Sequence, residues 1–144
     1  MKLIIASDHA GYALKEKIKK WLDSKRISYL DFGTHSSKAS VDYPDYAKKA
    51  AKEVLKSKQN LGILICGTGI GMAIAANKIK GIRAVSAYDL YTAKMSRTHN
   101  NANVLTLRGR FFPYKKSIQI LNAFLSVSFS NEPRHKKRIK KIEK

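Results

Sequence analysis

Short apolar runs alternate along the chain with longer segments in which apolar residues recur at helical spacing. The apolar runs have the length of β-strands and cover residues 2–7, 27–32, 61–66, 82–87 and 103–107. The amphipathic segments predict helices over 12–23, after the turn at 42–44, and over 72–79, 89–97, 114–127 and 132–144. Strands that alternate with helices are typical of a parallel sheet covered on both faces, so the pattern predicts an α/β fold.

Length and composition fit one domain spanning residues 1–144. The chain has 144 residues, of which 44% are apolar, and this is enough to form a core. We therefore predict a single-domain, Rossmann-like, three-layer α/β/α architecture with a five-stranded parallel sheet. Such folds bind ligands at the carboxyl ends of their strands. The basic C-terminal tail, 134–144, looks helical but has few apolar residues, and we expect it to dock on a partner subunit.

The apolar runs also indicate where the protein resides. None approaches the roughly 20 residues of a membrane-spanning helix, and Asp8 interrupts the first run before the core of a secretion signal could form. We expect a soluble, cytoplasmic protein with no membrane partner. Cys66 is the single cysteine, which excludes an internal disulfide and a multi-cysteine zinc site. No His, Asp and Glu cluster has metal-ligand spacing, so we expect neither a metal nor a cofactor.

The charge is strongly positive. The chain has 29 Lys and Arg residues against 10 Asp and Glu, for a formal charge of +19. Such an excess is typical of proteins that bind polyanions, and a nucleic-acid-binding module is the alternative from another functional class. Lysine accounts for 22 of the 29 basic residues and is spread over every predicted helix, as on a solvated surface. No nucleic-acid stacking motif accompanies it, so we expect no specific nucleic-acid partner.

The clearest candidate chemistry is the segment 66–71, CGTGIG, between the third strand and its helix. Its glycines have the spacing of neither the dinucleotide fingerprint nor the P-loop. They let the backbone approach a ligand and leave N–H groups at the start of a helix, where negative charge on an oxygen would be stabilised. The same N–H groups would favour a Cys66 thiolate. Glycines alone also suit a tight packing turn, but a cysteine immediately before them favours catalysis.

Three further groups could take part in chemistry. Asp8 and His9 follow the first strand, where a carboxylate beside an imidazole suits acid–base work or anion binding, although Asp8 could instead cap the next helix. His99 lies in an asparagine-rich segment that predicts a loop, and its imidazole could move protons near neutral pH. Arg134 and Arg138 are four residues apart on one helix face and could bind a phosphate together.

Together these residues resemble the type B ribose-5-phosphate isomerases, a family that includes the galactose-6-phosphate isomerase subunits. The resemblance covers essentially the whole chain, and the run 65–78 is its most specific part. The matching segments are SDHAG at 7–11, DYP at 42–44, ICGTGIG at 65–71, AANK at 75–78, GIRA at 81–84, SR at 96–97 and HNNANVL at 99–105.

The resemblance implies a metal-independent aldose–ketose isomerase of the pentose phosphate pathway. It would interconvert D-ribose 5-phosphate and D-ribulose 5-phosphate by ring opening and proton transfer through a cis-enediolate. By resemblance, Cys66 is the catalytic base, Thr68 hydrogen-bonds the reacting oxygens, His99 opens the ring, and Asp8 contributes to catalysis. The substrate-binding residues that the resemblance implies are Asp8, His9, Tyr43, Gly67, Thr68, Gly69, Ile70, Gly71, Asn100, Arg110, Arg134 and Arg138.

The resemblance also implies a homodimer, with a tetramer as a further option, whose active sites are completed across the subunit interface. His99 and Asn100 would then serve the Cys66 of the neighbouring subunit. Arg108 stands where relatives often have a small residue, so either Arg108 or Arg110 could hold the phosphate. A six-carbon substrate, galactose 6-phosphate or allose 6-phosphate, is the alternative within the same reaction class, because sequence does not show the depth of a pocket.

Overall fold

The computed structural model describes residues 2–144, and these form a five-stranded sheet with six helices. The sheet has the strand order β2-β1-β3-β5-β4, and every neighbouring pair is parallel. The predicted α/β fold with a five-stranded parallel sheet is confirmed. In chain order the elements are β1 (Leu3–Ser7), α1 (Tyr12–Ser24), β2 (Tyr29–Asp31), α2 (Tyr43–Val54), β3 (Leu61–Cys66), α3 (Ile70–Asn77), β4 (Ala84–Ser86), α4 (Leu90–Asn100), β5 (Val104–Arg108), α5 (Tyr114–Leu125) and α6 (Pro133–Ile142).

Apolar side chains cover both faces of the sheet. Helices α1, α4 and α5 supply one core layer, which includes Ile18 and Phe124. Helices α2 and α3 supply the other, which includes Ala47 and Met72. All residues of β1 and β3 are buried, which explains why these two strands are almost wholly apolar in sequence. The three-layer α/β/α arrangement is therefore confirmed.

Several predicted boundaries differ from the structure by a few residues: the strand predicted over 82–87, for example, is reduced to Ala84–Ser86. Two further differences affect the sheet edge and the site. The strand predicted over 27–32 is reduced to Tyr29–Asp31, because β2 is an edge strand that pairs only with β1. The loop predicted to follow residue 97 is wrong, since α4 continues to Asn100. It ends where Asn101 adopts a left-handed backbone (φ 47°) and donates its N–H to the carbonyl of Arg97. His99 and Asn100 are therefore held in a helix.

Helix α6 packs in part on α4 of its own chain. His135, in its first turn, is only 2% exposed, whereas Ile142 at its other end is 63% exposed. The docking of this helix on a partner subunit stays a prediction. Within residues 2–144, no helix combines the length and apolar character that crossing a membrane requires.

A buried ion pair fixes the end of β2 against α1. The Lys15 side chain is fully buried and its ammonium group donates to Asp31, which also accepts from Lys19 at 2.8 Å. Burial alone would raise the pKa of Asp31, but hydrogen bonds from Lys15, Lys19 and the Gly33 N–H outweigh it and lower that pKa. The backbone of Gly33 in turn accepts from the N–H of Ser7 at the end of β1. This contact positions the carboxyl end of β1.

Asp31→Asn should therefore destabilise the protein, because it leaves the buried Lys15 without its main counter-charge. We expect the free energy of unfolding to fall by about 3 kcal/mol at neutral pH. This is the lower end of the range typical of a broken buried ion pair, because Glu16 remains 3.1 Å from Lys15. The stabilisation from a carboxyl with a lowered pKa is present above about pH 4 and is lost as pH falls through the lowered value. The difference from wild type should accordingly shrink in acid.

Urea unfolding at several pH values measures this difference. Glu53→Gln is the matched control, because it removes a pair with Lys56, whose side chain is 70% exposed and is therefore largely solvated. That change should alter the free energy of unfolding by less than about 1 kcal/mol. Equal effects of the two variants would contradict the importance of the buried pair.

Candidate active site

The segment between β3 and α3 surrounds a buried thiol. Cys66 ends β3 and is 4% exposed, and Gly69 donates its backbone N–H to the Cys66 sulfur at 3.1 Å. Gly69 can do this because it adopts a left-handed backbone, with φ +82°, as the N-cap of α3. A hydrogen-bond donor at the start of a helix stabilises a thiolate more than a thiol. The geometry expected of a nucleophilic or basic cysteine is therefore present.

The segment that carries Asp8 and His9 packs against the end of the strand that carries this thiol. The backbone N–H of Asp8 donates to the carbonyl of Ile65, the residue before Cys66. The Asp8 carboxylate is 5% exposed and accepts from the N–H of Gly11 at 2.9 Å, so it does cap the turn before α1, as one interpretation of the sequence allowed. Its second oxygen carries no hydrogen bond from the described residues.

His9 is held in one orientation. Its Nδ1 accepts from the backbone N–H of Val41 at 3.1 Å. An Nδ1 that accepts leaves the ring proton of the neutral imidazole on Nε2, so we assign that tautomer from the hydrogen bond. His9 is half-buried, and its Nε2–H can donate to an anion or a sugar oxygen.

Tyr43 and Arg110 border the same loop. A Cβ on Gly71 would lie 2.7 Å from the Tyr43 ring, and one on Gly67 would lie 3.6 Å from Cδ of Arg110. The N–H of Arg110 donates to the carbonyl of Gly67, whereas the side chain of Arg108 bends back to donate to the Arg110 carbonyl. Arg110 is thus the arginine that lies along the glycine loop.

The structure gathers one part of the predicted set at the carboxyl edge of the sheet, where ligands of parallel sheets bind. A glycine loop with a thiol, an imidazole donor, a buried carboxylate and an exposed guanidinium can abstract a proton, stabilise an oxyanion and hold a phosphate. This group consists of Asp8, His9, Tyr43, Cys66, Gly67, Thr68, Gly69, Ile70, Gly71 and Arg110.

The remaining predicted residues lie elsewhere in the same chain. His99 and Asn100 are the last two residues of α4. This helix starts near the carboxyl end of β4 and ends near the amino end of β5, so its end lies about one strand length, roughly 16 Å for the five residues of β5, from the carboxyl edge of the sheet. Arg134 and Arg138 are exposed on α6, where the Arg134 side chain pairs with Glu132 at 2.7 Å. Within one chain these four residues are not brought to Cys66.

Sequence reasoning grouped His135 with Arg134 and Arg138 as a basic cluster and missed its contact with His99. Its ring packs on that of His99, with centroids 4.4 Å apart and planes tilted by 37°. The available signal was the spacing of His135 and Ile139, four residues apart on the inner face of α6. Among residues 2–144, no group of three or more His, Cys, Asp or Glu side chains is arranged to hold a metal ion.

Comparison with known proteins agrees with the resemblance found in the sequence. The model of the ribose/galactose isomerase family matches residues 3–142. A probable ribose-5-phosphate isomerase B from Mycoplasma genitalium is 45% identical over 141 residues, covering 97% of this chain and 92% of that protein. A putative sugar phosphate isomerase from Bacillus subtilis is 44% identical over 142 residues, covering 99% of this chain and 95% of that protein.

Solved structures agree as well. A ribose 5-phosphate isomerase from Thermotoga maritima superposes with a TM-score of 0.94 at 48% identity, covering 99% of this chain and 97% of that one. The structure of ribose-5-phosphate isomerase B from Mycoplasma genitalium, with bound ribulose-5-phosphate, gives a TM-score of 0.93 at 43% identity. The match covers 99% of this chain and 93% of that one. The chain therefore belongs to the ribose/galactose isomerase family.

Proposed function

We propose that this protein interconverts D-ribose 5-phosphate and D-ribulose 5-phosphate, as an aldose–ketose isomerase. The observation that carries this proposal is the thiol of Cys66, buried at the carboxyl end of β3 beneath the N–H of Gly69. The relative from Mycoplasma genitalium that binds ribulose-5-phosphate supports the choice of a five-carbon sugar. A cytoplasmic location stays a prediction.

Cys66 is the base in this mechanism. Its thiolate takes the proton from C2 of the open-chain aldose, and the electron pair left behind forms the C1–C2 double bond of an enediolate as charge moves to O1. The thiol then returns the proton to C1 while the hydroxyl proton on O2 passes to O1, so that C2 becomes the carbonyl of the ketose. Backbone N–H groups between Gly67 and Gly71, with the exposed hydroxyl of Thr68, face the reacting oxygens and lower the energy of the charged intermediate.

The other groups bind and prepare the substrate. Asp8 accepts from sugar hydroxyls, and Tyr43 closes the loop side of the site. His9 and Arg110 donate to the phosphate from the edge of the sheet that holds Cys66. His99 moves the protons of ring opening, while Asn100, Arg134 and Arg138 complete the hydrogen bonds to the sugar and its phosphate. These last four residues require a second chain, because their own chain holds them away from its Cys66.

A homodimer built on α3 meets that requirement. This helix starts at the glycine loop and ends at Asn77, which shares a cavity of about 390 Å³ with Asn100. Its outer residues Ile70 and Ile74 are 57% and 58% exposed, as is usual for an apolar face that a partner covers. A two-fold axis across α3 would pair the start of one helix with the end of the other, and so bring Cys66 towards the partner's Asn100.

Cys66→Ser should abolish most of the activity. The hydroxyl keeps nearly the same volume beneath Gly69, but it does not ionise near neutral pH, so the base is lost. We expect the rate of ribose 5-phosphate isomerisation to fall about 100- to 10,000-fold, with the thermal midpoint little changed. A variant that keeps a rate within a small factor of wild type would rule out Cys66 as the base.

Ile74→Lys should prevent self-association, because it places a charge in the centre of the apolar face of α3. Sedimentation velocity should show a dimer or larger species for wild type and a monomer for the variant, and the monomer should lose isomerase activity. Leu30→Lys is the matched control, since Leu30 is 37% exposed on the opposite edge strand. A wild-type monomer with full activity would contradict the dimer.

A further inference from the structure

His99 is packed against a second histidine. The His135 ring lies 4.4 Å from the His99 ring, centroid to centroid, and His135 is 2% exposed while His99 is half-buried. The His135 ring is therefore enclosed in the protein, whereas the His99 ring packs against it and is partly exposed to solvent. This arrangement is typical of a buried side chain that orients an accessible one.

The enclosed ring is itself fixed by a hydrogen bond. Its Nδ1 lies 2.7 Å from the hydroxyl oxygen of Ser130. The backbone N–H of Ser130 donates to the carbonyl of Thr98 at 3.0 Å, one residue before His99. Ser130 is therefore bonded through its backbone to the last turn of α4 and through its hydroxyl to the His135 ring that contacts His99.

The surroundings of His135 favour its uncharged form. Burial lowers the pKa of His135, and the positive charges of Arg134, Arg138 and a protonated His99 lower it further, against the opposing effect of Glu132. A neutral ring can pack against His99 in either protonation state and can stabilise its imidazolium through the ring face. Two imidazolium rings at this distance would repel each other.

We propose that His135 is a positioning residue, whose enclosed ring holds the His99 imidazole in the orientation needed to open the sugar ring. This inference rests on the proposed function, in which His99 moves the protons of ring opening. In that step the proton leaves the O1 hydroxyl, the C1–O4 bond breaks with its electron pair going to O4, and O4 takes up a proton. An imidazole can serve both oxygens only if its ring is held against rotation.

The chemistry offers a way to separate this step from the rest. Ribulose 5-phosphate has no ring, because its O5 carries the phosphate and no five-membered ring can close. In D2O, Cys66 can remove a proton from C1 of this ketose and return a deuteron without any ring opening. Loss of the C1 proton signal in NMR therefore reports on Cys66 and the enediolate alone, whereas net conversion of ribose 5-phosphate also requires His99.

His135→Ala should slow net isomerisation of ribose 5-phosphate by about 10- to 100-fold, as expected when a reacting group is misplaced by about 1 Å. The rate of deuterium exchange into C1 of ribulose 5-phosphate should stay close to that of the wild type. His135→Phe should recover most of the rate, because a benzene ring also packs on His99. His35→Ala is the control, since it removes an exposed imidazole in the loop after β2.

Equal losses of exchange and isomerisation in His135→Ala would overturn the proposal, and so would no loss of either. If that variant does not fold, Ser130→Ala provides the same comparison: it keeps both rings and removes the hydrogen bond to Nδ1, so isomerisation should fall more than exchange. Exchange that persists in Cys66→Ser would instead contradict the proposed function, whatever the His135 variants show.

Discussion

The close approach of three backbone turns around Cys66 is the constraint on which the site depends. A Cβ on Gly11 would lie 2.4 Å from the carbonyl oxygen of Ile65, and one on Gly109 would lie 2.7 Å from that of Ala10. Neither position can accept a side chain without moving the backbone. This contact lets the ends of β1, β3 and β5 converge, and it keeps Asp8, the thiol and Arg110 within one small volume.

Chain direction in a parallel sheet explains why the proposed active site requires a second copy. Every helix that follows a strand starts near the carboxyl edge and ends near the amino edge, so the end of α4 and the glycine loop lie at opposite edges of the sheet, which the five residues of β5 separate by about 16 Å. In the proposed dimer, a second copy related by a two-fold axis would remove that separation without any change in fold. The charge of +19 would oppose the association of two copies, and the apolar surface of α3 would have to outweigh this repulsion.

Much of the fold could be predicted because it depends on local patterns. The bounds of β3 agree with its apolar run, since a strand buried on both faces needs no polar positions. The end of α4 could not be predicted in this way, because its asparagines also suit a loop and only the left-handed Asn101 ends the helix. The grouping of Asp8, Cys66 and Arg110 followed from the sheet-edge rule. The contact between His99 and His135 joins segments 36 residues apart and depends on tertiary packing.

In the proposed enzyme, each active site combines Cys66 of one chain with His99 of another. Mixing two inactive variants, Cys66→Ser and His99→Ala, tests it most directly, because a mixed dimer contains one site with both residues intact and one with neither. Random reassociation of equal amounts makes half of the dimers mixed, so we expect about a quarter of the wild-type isomerase activity. Activity no greater than that of the two variants measured separately would contradict it.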